Sequence, residues 1–391
     1  MKRFLLTMFV LVLRLIYWPI RCRRIRDKVT IISRQSDDPS VDIRMLSDYL
    51  RLRYPGIECV VLCRFIEAGL AGKIKYFLHM IRQMVHIASS RIIVLDGYCI
   101  TASVLHHKKE TKILQMWHAV AAIKKFGYQT IDRAGGHSRV VAETMCMHRN
   151  YDYILCPGPE MGRIYCEAFH AEPARLLYMG LPRLDLIWDS EEGAAAIRKA
   201  YNIPDEREIL LYIPTFRKGA QVRLKDLVRS IDPQKFTLVV RLHPLDRTQP
   251  LSDDERGDLQ VIFDQSRSTQ EWIRSCDRLI TDYSALSVEA SLTGKPLYFY
   301  IYDINEYEQS VGLNVDPRRE MPRAVAITGL QLSDLLAEPY DFGELNAFRD
   351  KYVSIDTDAC TARLGDFIYG IIKEVHQEVS DASSDAESQS S

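Results

Sequence analysis

The sequence predicts an α/β protein built as two Rossmann-like halves. Three observations lead there. From residue 29 onward, short apolar runs alternate with amphipathic segments of about ten to fifteen residues, the pattern of parallel strands joined by helical crossovers. The pattern stops at a polar, Ala-rich helical segment, 190–204, that ends in Pro204, and then begins again. At 391 residues the chain is long for one core and ample for two.

In the first half, 29–33 reads as a strand and 41–53 as a helix with Val41, Met45, Leu46, Tyr49 and Leu50 on its apolar face. A strand at 59–63, a helix at 72–87 and strands at 91–95 and 112–117 follow. A strand at 153–156, a helix at 159–169 and a strand at 176–179 complete a domain placed at 29–190. The second domain, 205–375, carries strands at 208–213, 236–242 and 259–262, then a helix at 269–276. A strand at 278–280, a helix at 284–293 and a strand at 297–301 come next, and the chain is helical from Leu330 to about Val375. Residues 376–391 are rich in Ser and Asp and read as a disordered acidic tail.

Residues 1–28 stand apart. They carry Lys2, Arg3, Arg14, Arg21, Arg23, Arg24, Arg26 and Lys28 against the single acid Asp27. The apolar run 4–20 is short for a spanning helix, and Arg14 falls near its middle, where a charge costs a few kcal/mol. Tyr17-Trp18 before an arginine cluster suits a helix lying in a lipid interface. Peripheral attachment to the cytoplasmic membrane surface is the first expectation, a single anchor helix the second and a packed terminal helix the third. The net charge of −1 argues against nucleic-acid binding by the whole chain. Nine scattered cysteines without zinc spacing read as buried thiols of a reducing compartment.

The residues with chemistry fall at predicted strand ends, where a doubly wound sheet presents its ligand, so two facing halves would hold it between them. Trp117-His118 ends one strand and precedes Lys124 and Lys125; His118 is a general base or a hydrogen-bonded core histidine. Gly180-Leu181-Pro182-Arg183 follows another, and Arg183 binds an anion or pairs with Asp185. Thr215 and Arg217 follow 208–213, an arginine fork being suited to phosphate. Arg241-Leu242-His243-Pro244 repeats the placement of His118. Thr281-Asp282-Tyr283-Ser284 reads as a strand-to-helix turn whose hydroxyls and N–H groups suit phosphate, with Glu289 placed for ribose hydroxyls.

Taken in order over roughly 110–315, these blocks resemble the CDP-glycerol glycerophosphotransferases that build teichoic acids. Lys295-Pro296, Tyr302-Asp303, Glu306-Tyr307 and Gly312-Leu313 match as well. The resemblance implies a GT-B fold and transfer of a polyol phosphate from a CDP-alcohol to a hydroxyl of a lipid-linked glycan or growing polymer, with release of CMP. It implies His118 as the base for the acceptor hydroxyl and His243 as a catalytic contact to the donor phosphates. Arg217, Thr281 and Ser284 match positions around the pyrophosphate; Lys124, Arg183, Asp185, Thr215, Arg241 and Asp282 lie within the matched blocks as substrate-binding candidates. No cofactor and no metal are expected, CDP-glycerol being the donor substrate. Ala119 stands where many members have Gly, and a Trp-His-Ala form occurs in relatives that use CDP-ribitol, so the donor polyol stays open. Ala285 replaces a second serine. A nucleotide-sugar glycosyltransferase on the same fold is the rival reading, and homo-oligomerisation is left open.

Overall fold

The computed structural model describes the chain except residues 134, 189–190, 217–222, 244–245, 247 and 389–391, and the backbone alone at 191–192 and 375–388. The chain divides into two compact units. The first holds Met1–His118, Phe126–Asp185 and Ile355–Ser391; the second holds Ala119–Lys125 and Leu186–Ser354.

Six parallel strands make the first sheet: β1 (Arg26–Ser33), β2 (Glu58–Cys63), β3 (Ser90–Leu95), β4 (Lys112–Gln115), β5 (Tyr153–Cys156) and β6 (Leu176–Tyr178), in the order β2-β1-β3-β4-β5-β6. Six more make the second: β7 (Glu208–Ile213), β8 (Phe236–Val240), β9 (Val261–Phe263), β10 (Arg278–Thr281), β11 (Leu297–Tyr300) and β12 (Val325–Ala326), in the order β12-β11-β10-β7-β8-β9. In each sheet the order reverses near the middle, which is the doubly wound signature. The central strands read as continuous apolar runs because helices cover both faces; Ile92–Leu95 of β3 and Ile209–Tyr212 of β7 are fully buried.

Several boundaries differ from the sequence reading, three of them with consequences. Strand 112–117 stops at Gln115, because Trp117 turns into the left-handed region with φ +64°. Helix 284–293 shortens to Leu286–Ser291. The helical run after Leu330 is three helices, Gly329–Ala337, Phe342–Tyr352 and Cys360–Ser388. The last of these belongs to the first unit, so 355–375 does not continue the second domain. It packs on helix Val41–Arg53, where the hydroxyls of Tyr49 and Tyr54 each donate to Asp366 at 2.7 Å and Tyr54 stacks on Tyr369 at 3.9 Å. Its backbone stays helical to Ser388 through the segment that composition reads as disordered, a stretch without Gly or Pro.

Helix Lys2–Ile20 is part of the first unit rather than a detached segment. It buries Val10, Leu13 and Tyr17, its Arg14 Nε donates to the Val104 carbonyl at 3.0 Å, and Tyr17 sits 3.3 Å from His107 Nδ1. The opposite stripe, with Phe4, Leu5, Met8, Leu11, Val12, Leu15 and Trp18, is exposed.

Candidate functional site

In the first unit the candidate base stands at the C-terminal edge of the sheet. The strained Trp117 is held by its N–H donating to Gln115 Oε1 at 2.9 Å and by its indole lying against Phe126, Phe169 and His148. Gly127, with φ +56°, closes that aromatic box: a Cβ there would meet the Ala168 carbonyl at 2.2 Å. The Trp-His and Phe-Gly parts of the motif are thus one device that turns the chain so that His118 leaves the sheet.

Two atoms meet His118 Nδ1, the Asp96 carbonyl at 3.0 Å and the Gln35 amide at 3.2 Å. A carbonyl only accepts, so Nδ1 carries the proton and Nε2 presents its lone pair. The Gln35 amide fits the same tautomer with its oxygen turned to the ring. Desolvation pushes the imidazole pKa down to about 4, with Arg183 and Arg34 adding positive charge and Asp42 opposing. His118 is therefore neutral near pH 7 and exposed to solvent, the state a general base needs.

Arg183 and Asp185 have other partners than those expected. Arg183 pairs with buried Asp42: its N–H donates to Oδ1 at 2.8 Å, Nε to Oδ2 at 2.8 Å, and a terminal nitrogen to Oδ2 as well. That terminal nitrogen also reaches the His118 carbonyl at 3.2 Å. Asp185 accepts from the N–H groups of Cys360 and Thr361 at 2.7 and 3.0 Å, capping the last helix. Both side chains are engaged within the unit, and Arg183 braces the His118 backbone. Asp42, Gln35 and Asp96 were missed. Gln35 and Asp96 follow strands β1 and β3, the same signal that marked His118. Asp96 is buried, and among the described residues its carboxylate oxygens complete no hydrogen bond; burial raises its pKa to about 6, the Ser33 hydroxyl working the other way.

In the second unit most of the expected phosphate-holding turn is a latch between strand ends. The Thr281 hydroxyl donates to the Ile213 carbonyl at 2.8 Å, and Asp282, fully buried, accepts from the N–H groups of Thr215 at 2.8 Å and Tyr283 at 2.6 Å. Tyr283 stacks on Tyr307 at 3.9 Å and donates to Asp303 at 3.1 Å. Glu289 is fully buried in its helix, closed to ribose hydroxyls, and Thr215 is buried as well. Arg241 donates to the Asp264 carbonyl at 2.7 Å. These contacts share a cause: strand ends must satisfy their own buried polar groups first. Ser284 is the member of the turn left half-exposed, its Oγ accepting from Leu286 N–H at 3.3 Å. The short helix begins after Ala285, so Ser284 is not its cap.

Lys124 and His243, far apart in sequence, share this unit. Segment Ala119–Lys125 joins it by pairing Lys124 with Leu313, with Lys125 N–H donating to Gly312 and Asn314 N–H to Ile123. The Lys124 ammonium lies 5.8 Å from the Tyr307 ring centre. His243 is exposed beside Phe216, ring centres 5.1 Å apart; desolvation lowers its pKa, Lys124 adding to the effect and Asp246 opposing. Arg217 lies outside the described residues.

The family model described as CDP-glycerol:poly(glycerophosphate) glycerophosphotransferase matches residues 17–370. A teichoic acid ribitol-phosphate primase of Bacillus spizizenii is 28% identical over 355 residues, covering 88% of this chain and 90% of that protein. A teichoic acid glycerol-phosphate primase of Bacillus subtilis is 28% identical over 302 residues, covering 75% and 77%. Among solved structures, the wall teichoic acid polymerase TagF, as the H444N variant soaked with CDPG, superposes with a TM-score of 0.71 at 18% identity, covering 95% of this chain and 98% of that one. The fold is GT-B, with two doubly wound parallel sheets.

Proposed function

The chain belongs to the CDP-glycerol:poly(glycerophosphate) glycerophosphotransferase family, and from that premise we propose how its residues divide the work. The reaction moves glycerol phosphate from CDP-glycerol to a hydroxyl of a teichoic-acid-type acceptor. The acceptor oxygen loses its proton and attacks the phosphorus that bears the glycerol; the bond from that phosphorus to the bridging oxygen breaks, and CMP leaves with the electron pair. The observation that carries the residue assignment is His118, a neutral, solvent-reached imidazole whose Nδ1–H is fixed on the Asp96 carbonyl. Its Nε2 takes the acceptor proton.

On the donor side, His243 and Lys124 meet phosphate oxygens, and Ser284 adds a hydroxyl. A bound pyrophosphate favours protonated His243, so the ring neutral in the free protein gains charge as donor arrives. No cofactor takes part. A panel of CDP-glycerol, CDP-ribitol and UDP-sugars, read as nucleotide release, tests the reading. CMP from CDP-glycerol is the expected result, and UDP release would sink it. CDP-ribitol as the better donor is the second reading, favoured by the relative matched over 90% of its length.

The acceptor is lipid-linked, and the protein docks peripherally on the cytoplasmic membrane surface. Helix Lys2–Ile20 is long and apolar enough to cross a bilayer by composition, yet one stripe is committed to the first unit and the other bears Leu11, Leu15 and Trp18 in solvent. Helix Gly69–Ile87 packs against it and adds exposed Leu70, Ile74 and Leu78. Such faces beside arginines suit anionic lipid. Leu11→Glu with Leu15→Glu should release the protein from anionic vesicles without unfolding it; undiminished sedimentation counts against this surface.

A further inference from the structure

A cavity in the second unit is lined by none of the residues given a catalytic or donor-binding role above. It occupies about 460 Å³ between helix Leu224–Arg229, the end of β11 and the start of helix Gly329–Ala337. These helices pack on the sheet face carrying Leu210, Tyr212, Leu238, Val240, Ile280, Tyr298 and Tyr300. The two helices are drawn together by Gly329, where a Cβ would stand 2.8 Å from the Asp226 carbonyl.

The lining carries two cations and one carboxylate. Arg223 and Arg229 both reach it, and neither guanidinium has a carboxylate within ion-pair distance among the described residues. Arg223 instead lies over the Tyr302 ring, 5.1 Å from its centre, in a cation–π contact that holds it in place. Tyr300 and Tyr302 form an aromatic wall, 5.2 Å between ring centres, and Asp226 adds an acceptor for hydroxyl groups. At the far side the helix begins at Thr328, whose hydroxyl is spent on Gln331 N–H, and its positive end adds to the two arginines. Two fork-shaped cations select a phosphate, the tyrosines a carbon chain or ring lying flat, and the carboxylate a hydroxyl.

We propose that this cavity is an accessory site for one phosphorylated polyol unit, held by Arg223 and Arg229 through its phosphate and by Asp226 through a hydroxyl. Its occupant is a unit of the phosphodiester chain that the enzyme extends, an identification resting on the function proposed above. A site of this kind tethers the product between additions.

The test is equilibrium binding to the full chain of inorganic phosphate, glycerol 3-phosphate and a short glycerol phosphate oligomer, in wild type and in Arg223→Ala/Arg229→Ala. The oligomer should bind wild type and weaken at least tenfold in the double variant, about 1.4 kcal/mol. Turnover of CDP-glycerol with a single-hydroxyl acceptor should be unchanged in that variant, while chain length per binding event falls. Oligomer binding unaffected by the substitutions overturns the proposal, as does failure of wild type to bind it. Inorganic phosphate binding as tightly as the oligomer overturns the polyol assignment. A Tyr302→Phe variant, folded by circular dichroism, should retain binding; this keeps the arginine effect separate from general loosening of the pocket. Absence of CMP release by wild type would refute the proposed reaction while leaving the binding result readable by itself.

Discussion

Replacing Arg183 with Ala probes the link between architecture and chemistry most sharply. Its guanidinium shields Asp42, whose side chain is 1% exposed, and the same group steadies the His118 carbonyl. Removing it strands a buried carboxylate with one backbone N–H and, among the described residues, no counter-charge, which costs about 3–5 kcal/mol of stability. The chemical effect is separate. A base displaced by about 1 Å loses on the order of 100-fold in rate, and here both changes in charge, loss of Arg183 and exposure of Asp42 alone, raise the His118 pKa. The variant should therefore show kcat down about 100-fold, an acid limb moved to higher pH, and an unchanged KM for CDP-glycerol. Arg183→Lys keeps the charge without the fork and should fall between. Denaturant unfolding and steady-state CMP release at a temperature where the variant is folded supply both numbers. A raised KM for donor with kcat intact would refute the brace and restore Arg183 as a substrate contact.

Other expectations follow from the same geometry. Between pH 8 and about 5.5, kcat/KM should show no loss attributable to His118, whose pKa is pushed down to about 4; a limb near 6.5 contradicts the lowered pKa. Stability should fall as pH drops from about 6.5 toward 4, because His107 (about 4), His118 (about 4) and His148 (depressed to about 3) bind protons more readily unfolded; calorimetry across pH reads it. Asp96, raised to about 6, acts with the opposite sign between about 4 and 6, where its contribution is lost as pH rises. Thr281→Val should cost about 1 kcal/mol of stability through the lost bond to Ile213 and leave donor KM alone, whereas Ser284→Ala should raise donor KM with little change in stability.

The elements were legible because period and composition agree: β5, β7 and helix Pro159–Phe169 begin and end where the sequence places them. The strand ends were legible too, since His118, His243 and the turn after β10 all lie there. What each residue does was less so. Asp282 and Thr281 look like ligand groups in sequence, yet buried strand ends consume them. Arg183 looks like an anion site beside Asp185, and its partner is 141 residues earlier. The return of Cys360–Ser388 to the first unit was equally invisible, because one amphipathic helix fits many faces and only Tyr49, Tyr54 and Asp185 say which. Local pattern reports the element; long-range hydrogen bonds decide the neighbour.

The central claim is that His118 takes the acceptor proton in a CDP-glycerol-dependent transfer. Its most direct test is CMP release by wild type and His118→Ala, alongside donor affinity measured by equilibrium binding. CDP-glycerol should bind both proteins alike, and CMP release should fall by about 100-fold or more in the variant, within the range for loss of a general base. Turnover at the wild-type rate in His118→Ala would contradict the account.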